Sequence, residues 1–221
     1  MSQLDPKTRL RRHPDQGSHS RSDLDALLRR AFVGHLGVLD KNGQPFVVPT
    51  VYGIGRDCIY LHGSVASVSL RKDFQLEATF VVTVVEGLVI ARSVFNHSVN
   101  YHSCVIYGEL EEISDPDLKL EGLRAISEHT SPGQWDYARK PNSKEIRKTS
   151  LKRLALDKFS VKSSEGPPSD SIGEDSLLDV WAGVIPLYQV RGELIADPAL
   201  RGGIYPPKHL LELLPKGVVG K

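Results

Sequence analysis

From Phe46 to Leu110 the chain alternates between short apolar runs and polar turns. FVVPTVYG is followed by CIYLHGSVASVSLRKD, then by ATFVVTVVEGLVIARS and HSVNYHSCVIYGEL. Val, Ile, Thr and Tyr dominate the apolar runs, and such residues fit a pleated, half-buried surface. Several short antiparallel strands leave sheet edges that must be covered or closed. The pattern therefore predicts a mainly β protein, a Greek-key β-barrel with flanking helices. The polar interruptions are loaded with His, Ser, Arg and Lys, which points to strand ends that hold an anionic ligand.

Local signals place the elements. Ser22, followed by Asp23 and Asp25, predicts the N-cap of an amphipathic helix that carries Leu24, Leu27, Leu28 and Ala31 and ends near Arg30. Phe32 to Leu39 is a first strand, and Asp40-Lys41-Asn42-Gly43 a hairpin turn whose Asn-Gly tolerates positive φ. Pro45 to Tyr52 is the return strand, Cys58 to His62 a third strand, and Ser67 to Phe74 a short helix entered from Gly63-Ser64. Thr79 to Val85 and Tyr101 to Ile113 are further strands, and Asp115-Pro116 opens a helix that runs to Thr130. Ser131 to Pro141 reads as a loop and Ser143 to Ile146 as a short helical start, and Leu151 to Val161 resumes strand character. Ser163 to Asp175 is a mobile loop, and Trp181 to Leu187 the last strand. Residues 1–20 form an N-terminal arm on this reading, 21–195 the barrel domain and 196–221 a Pro-rich tail.

Composition removes several function classes. Twenty-eight Lys and Arg against 27 Asp and Glu leave a net charge of +1, and aromatics make up 7% of the 221 residues. Neither the global field nor the stacking surface of a nucleic-acid binder is present. Cys58 and Cys104 are too few for a disulfide framework or a zinc cluster, and their apolar settings suit buried free thiols. No apolar run approaches a membrane span, and Met1 to Arg30 lacks a signal peptide's hydrophobic region. The expectation is a soluble cytoplasmic protein with no membrane and no nucleic-acid partner.

Two segments can carry chemistry. In His62-Gly63-Ser64-Val65-Ala66-Ser67-Val68-Ser69-Leu70-Arg71-Lys72 a strand end, a Gly turn, hydroxyls, two cations and a helix start fall together. Such a segment can cradle a phosphate, and an ordinary Ser-capped helix with exposed cations gives the same pattern. Its spacing is not that of a P-loop. The second segment crowds Arg92, His97, Asn100, Tyr101 and His102 between β runs, as at a ligand mouth or in a solvated loop. The histidine spacing offers no metal pair, no Gly-x-Ser-x-Gly elbow occurs, and Gly53-Ile54-Gly55 lacks the third glycine of a dinucleotide fingerprint. A redox reaction on this chain needs a cofactor to supply the chemistry.

RLRRHP with its short helix, QPFVVPTVYG, LHGSVAS, LVIARSVFNHSVNYHSCVIYGEL, RAISEHTSPGQWD, GPPSD and DVWAGVIPL occur in one order. Together they resemble the pyridoxamine 5'-phosphate oxidase-related flavoproteins, in particular the nitroimidazole-resistance-protein-like branch. The resemblance implies an FMN-binding split barrel that forms a homodimer, with FMN at the interface. It implies that Thr50 and Tyr52 face the isoalloxazine. His62, Gly63, Ser64 and Ser67 flank the ribityl chain and phosphate, Asn100, Tyr101 and Ser103 border the pocket, and Trp181 approaches from the other subunit. Val68 stands where relatives carry Arg or Lys, so Arg71 or Lys72 is the expected phosphate cation. The family's NYRS reads Asn100-Tyr101-His102-Ser103, which exchanges a fixed cation for a titratable one. Two functions follow: an FMN-dependent oxidoreductase acting on a small-molecule substrate, or a non-enzymatic binding module. The second has lost the flavin and holds another anionic ligand, or haem through a histidine such as His62.

Overall fold

A computed structural model describes residues 6–11, 13–40, 42–64 and 77–215, with Ser64 described by its backbone alone. The expected helix over Ser67 to Phe74 lies outside the described residues.

Among the described residues nine strands carry the fold: β1 (Gly17–Ser18), β2 (Val33–Leu39), β3 (Pro45–Ile54), β4 (Cys58–Ser64), β5 (Glu77–Ile90), β6 (Ser98–Glu112), β7 (Thr149–Ala155), β8 (Phe159–Ser164) and β9 (Gly183–Pro186). All their pairings are antiparallel. Following them around, β2 pairs with β3, β3 with β4, β4 with β7, β7 with β6, β6 with β5, and β5 with β2 again. This closes a six-stranded barrel and removes its edges. The other three strands extend it outward, β8 on β6, β1 on β8 and β9 on β5. The mainly β barrel with flanking helices is the architecture the sequence predicts.

The β2–β3 hairpin shows why local chemistry suffices there. Gly43 has φ of 77°, and the Asp40 carboxylate accepts from the Asn42 and Gln44 amides, both at 2.8 Å. Positive φ at Gly43 and an Asx-type turn are what Asp-x-Asn-Gly encodes. The register then runs from Val33↔Val51 to Leu39↔Pro45.

Helix α1 (Arg21–Arg30) packs Leu24, Leu27 and Leu28 against Leu36, Phe80, Val82, Ile106 and Leu154 inside the barrel. Each such side chain contributes roughly 1.5–3 kcal/mol on burial, so three leucines outweigh the short helix's poor intrinsic stability. The N-cap is Ser20, not Ser22. Starting at Arg21 lets that residue reach Asp25 at 2.9 Å, while Ser22 meets the Ser20 hydroxyl at 2.6 Å. Helix α2 (Pro116–Thr130) matches its expected bounds, and the Asp115 carboxylate accepts from the Asp117 and Leu118 amides. It lies outside the barrel on β3 and β4, with Ile126 against Tyr60, Ile113 and Leu151. The segment from Leu151 to Val161, expected to have strand character, is divided between two strands. A turn after Ala155 lets β7 serve the barrel, while β8 turns back along the first half of β6. The loop expected over 131–141 contains one helical turn, α3 (Gln134–Tyr137), ahead of α4 (Ser143–Lys148), which Asn142 and Glu145 close with a capping box. The last strand begins at Gly183, which leaves Trp181 outside it, and the Pro-rich tail holds a short helix, α5 (Lys208–Leu211).

Cys104 is 1% exposed, and burial pushes its thiol up to about 12. Cys58 is only half-buried, and both cysteines are free. No helix among the described residues is long and apolar enough to cross a membrane.

Candidate functional site

Strand alternation sorts the expected site residues onto different faces. On β3, Phe46, Val48 and Tyr52 pack against the barrel core, so Thr50 shares their inward side, while Val47 and Pro49 face out. Tyr52, expected to face a flavin, lies in the barrel core. Its ring is 0% exposed, and its hydroxyl donates to the carbonyls of Leu28 at 2.7 Å and Ala31 at 2.8 Å. Burial, with a smaller push from Cys104, raises its pKa, so it is a neutral donor that ties α1 to the barrel. Thr50 donates to the Val51 carbonyl at 3.1 Å and is half-buried.

On β4, Ile59 and Leu61 point into the barrel. His62 lies on the opposite side, half-buried, next to Leu151 in register. Its Nδ1 is enclosed without a hydrogen-bond partner, and burial lowers its pKa, so the ring is held neutral. Gly63 and Ser64 continue the strand, paired with Ser150 and Thr149. Ser67, Val68, Arg71 and Lys72 fall outside the described residues.

The Asn100–Ser103 stretch is also divided. Even positions of β6 continue the face of Cys104 and Ile106, which pack in the core. Asn100 donates to the Gly166 carbonyl at 3.0 Å. His102 meets Ser163 Oγ at 2.8 Å through Nδ1 and Glu86 at 2.8 Å through Nε2, with Glu165 3.2 Å away. His102, expected to face an anionic ligand, thus stands between two carboxylates and a hydroxyl of its own chain. Burial disfavours the charged Glu86 carboxylate, but Arg30 and His102 outweigh that and hold its pKa below the usual range. Tyr101 and Ser103 sit on the outward face instead, where the Lys162 ammonium stands 5.9 Å from the Tyr101 ring. Trp181 is 67% exposed beside Gly183.

That outward face is apolar. Val33, Val47, Val85, Leu88, Val99 and Ile185 are all between 38% and 64% exposed. The register joins Leu88 to Val99 and to Ile185 across β5, β6 and β9, with Val85 beside Tyr101 on the same two strands, whereas Val33 and Val47 lie apart on β2 and β3. Singly exposed hydrophobics are ordinary, but a contiguous patch marks an interaction surface. Sequence reasoning did not identify this face; the period-two alternation from Thr79 to Val85 is the signal that could have found it. A separate cavity of about 390 Å³ lies at the hairpin end of the barrel, lined by Gly37, Val47, Thr79, Tyr107 and neighbouring residues. None of the expected site residues lines it. No cluster of three or more His, Cys, Asp or Glu side chains suited to a metal ion occurs among the described residues.

Two polar ties fix the surroundings. The Asp170 carboxylate accepts from the Ser93 amide at 2.9 Å, and this bond, reinforced by Arg92 at 3.5 Å, lowers its pKa. The 165–173 loop is thereby anchored to the turn before β6. On the α1 side, His129 Nε2 meets the Ala31 carbonyl at 2.9 Å, with its ring 4.7 Å from that of Tyr52. Burial lowers the His129 pKa against the opposing effect of that carbonyl. Above the ordinary histidine value of about 6.5 both folded and unfolded states are neutral. Below it the unfolded chain takes up the proton first, so stability falls as pH drops toward the folded-state value, by at most about 1.4 kcal/mol per pH unit. His62 adds to this with the same sign. His129→Gln removes one titrating group, so the loss of urea midpoint between neutral and mildly acid pH should shrink; an unchanged loss refutes the assignment.

A family model described as pyridoxamine 5'-phosphate oxidase matches residues 20–163. Among solved structures, the flavocytochrome Anf3 from Azotobacter vinelandii is 32% identical, with a TM-score of 0.86 over 95% of this chain and 97% of that one. The FAD and heme binding protein from Mycobacterium smegmatis is 31% identical, with a TM-score of 0.84 over 90% of this chain and 97% of that one. A protein described as a 5-nitroimidazole antibiotic resistance protein, from Bacteroides thetaiotaomicron, shares the fold at 19% identity. Its TM-score is 0.56, over 66% of this chain and 85% of that one. A search of curated proteins finds no match.

Proposed function

The chain belongs to the pyridoxamine 5'-phosphate oxidase family, and from that premise we propose that it is a flavin-binding redox protein that also holds haem. The observation that carries the flavin reading is the apolar outward face. It presents Tyr101, Ser103 and Lys162 beside Val85 and Val99, so an aromatic ring system can lie on it with a cation at its edge. A second copy placed on the same patch completes a dimer and shields the bound flavin from water. The flavin supplies the electron-carrying chemistry, for which these side chains offer no substitute.

The resemblance in the sequence implies FMN, whereas the neighbour at 31% identity is named for FAD. Both share the isoalloxazine that the face would receive, and the neighbour's name favours FAD. Haem is supported by that name, by the description of the other neighbour as a flavocytochrome, and by the His62 imidazole, whose Nδ1 has no hydrogen-bond partner. An oxidoreductase working in the cytoplasm on a small molecule is part of this proposal, and a binding module without turnover is its rival. Protein purified from a flavin-replete host should be yellow, and the cofactor released by acid should run as FAD by chromatography and mass. A colourless protein that takes up neither FAD nor FMN on reconstitution refutes the flavin reading.

A further inference from the structure

Beyond β9 the chain runs from Leu187 to Pro207 without helix or strand, and every residue from Ile185 to Pro206 is exposed. Both ends of this strap are fixed to its own barrel. The Leu187 amide donates to the Glu86 carbonyl at 2.8 Å, at the bulge of β5. At the other end α5 sits on the corner after α2. There His209 Nε2 meets Gln134 Oε1 at 3.0 Å, and its ring lies 5.4 Å from that of Tyr137. Between these anchors the Arg191 guanidinium reaches back to within 5.8 Å of the Phe32 ring. Within the strap one backbone hydrogen bond forms among the described residues, from the Leu200 amide to the Asp197 carbonyl.

The strap has the composition of an interface rather than of a solvated linker. Tyr188, Val190, Ile195 and Tyr205 are between 76% and 96% exposed, and Leu187, Leu194, Leu200 and Ile204 stand half-exposed among them. Arg191, Glu193, Asp197 and Arg201 are its only charged residues, and their charges cancel. A segment that stays in water without a partner is polar and carries a high net charge. One this apolar gains free energy by being covered.

The strap also starts on the face read above as the seat of a second copy. Ile185 pairs with Leu88, and Leu187 is bonded to the residue beside Val85, so Leu187 and Tyr188 stand at the rim of the patch of Val85, Leu88, Val99 and Ile185. Those four side chains fall well short of the roughly 20–30 residues a side that a stable interface takes. In a two-fold dimer the rim of one subunit meets the other, so the two straps supply the missing contacts on both sides at once.

We propose that the strap from Leu187 to Pro206 wraps a second copy of this chain, with Tyr188, Val190, Ile195 and Tyr205 of each subunit packed on the barrel of the other. This rests on the reading that the chain dimerises through its outward face.

Photo-crosslinking of the full-length protein, with Ile195 replaced by benzoylphenylalanine, tests this. Irradiation at micromolar concentration should give a product of twice the chain mass under denaturing conditions. The paired substitution Ile195→Asp with Tyr205→Asp should raise the dimer dissociation constant at least about 100-fold, because the carboxylates would be buried at the interface without partners. Its circular dichroism should match the wild type, since both side chains are exposed within one chain. Leu118→Glu on α2 should leave the dissociation constant unchanged. If the wild type sediments as a monomer, the dimer reading fails and this inference falls with it. If the wild type is dimeric but the crosslink stays within one chain, or the double variant associates as tightly as the wild type, the strap closes on its own barrel and this inference alone falls.

Discussion

Val85→Glu is expected to give a monomer that no longer retains flavin. Val85 is 45% exposed in the middle of the outward face, in register with Tyr101, and Leu88, Val99 and Ile185 extend the same patch. In an isologous dimer each substitution occurs twice at one interface. Burying an uncompensated carboxylate costs several kcal/mol, so two of them at about 3 kcal/mol each weaken association by roughly 10⁴-fold. Sedimentation or light scattering at micromolar protein reads the mass, and absorbance after gel filtration reads the flavin. Leu118→Glu, on the exposed side of α2, is the control and should change neither. A Val85→Glu protein that stays dimeric and yellow would remove both the interface and the flavin from this face.

Gly53→Val should cost about 3 kcal/mol or more, at the upper end for overpacked sites, because the obstacle is backbone. A Cβ at Gly53 would lie 2.5 Å from the Ile126 amide nitrogen and 2.7 Å from the Ala125 carbonyl carbon. A side-chain tip could rotate away, but a helix backbone can only lift off the sheet. Lifting α2 uncovers Ile126, Tyr60 and Leu151 together. At roughly 2–4 °C per kcal/mol for a chain of this size, Tm should fall by about 6–12 °C. Gly37→Ala meets only the Thr79 carbonyl oxygen at 3.6 Å and Val47 at 3.9 Å, which is ordinary contact, and should have little effect. Equal melting of the two variants would show that α2 does not seat as described.

Which parts were legible follows from the range of the forces involved. Helix α2 was read to the residue because both of its determinants are local, Asp115 as cap and Pro116 in the first turn. The Asp40–Gly43 turn was read for the same reason. In Leu151–Val161 the strand character was legible but the break was not, because the interruption depends on which neighbours claim its two halves. β4 and the end of β6 take one half, and the start of β6 takes the other. The site suffered more than the fold. Asn100, Tyr101, His102 and Ser103 are consecutive and polar, so the sequence offers them as one cluster, yet the pleat sends alternate members to opposite sides of β6.

The sequence by itself determined a mainly β antiparallel barrel with flanking helices, since apolar periodicity, turn residues and caps act within a few positions of one another. It also determined the family, through motifs that keep their order. Only the tertiary structure decided that Tyr52 is a core tie and that Glu86 and Glu165 surround His102. Those outcomes depend on pairings between residues far apart in the chain, Tyr52 with Leu28 and Ala31, and His102 with Glu165. A side chain's charge and exposure are set by whichever partner the closing barrel brings beside it, and no local pattern encodes that partner.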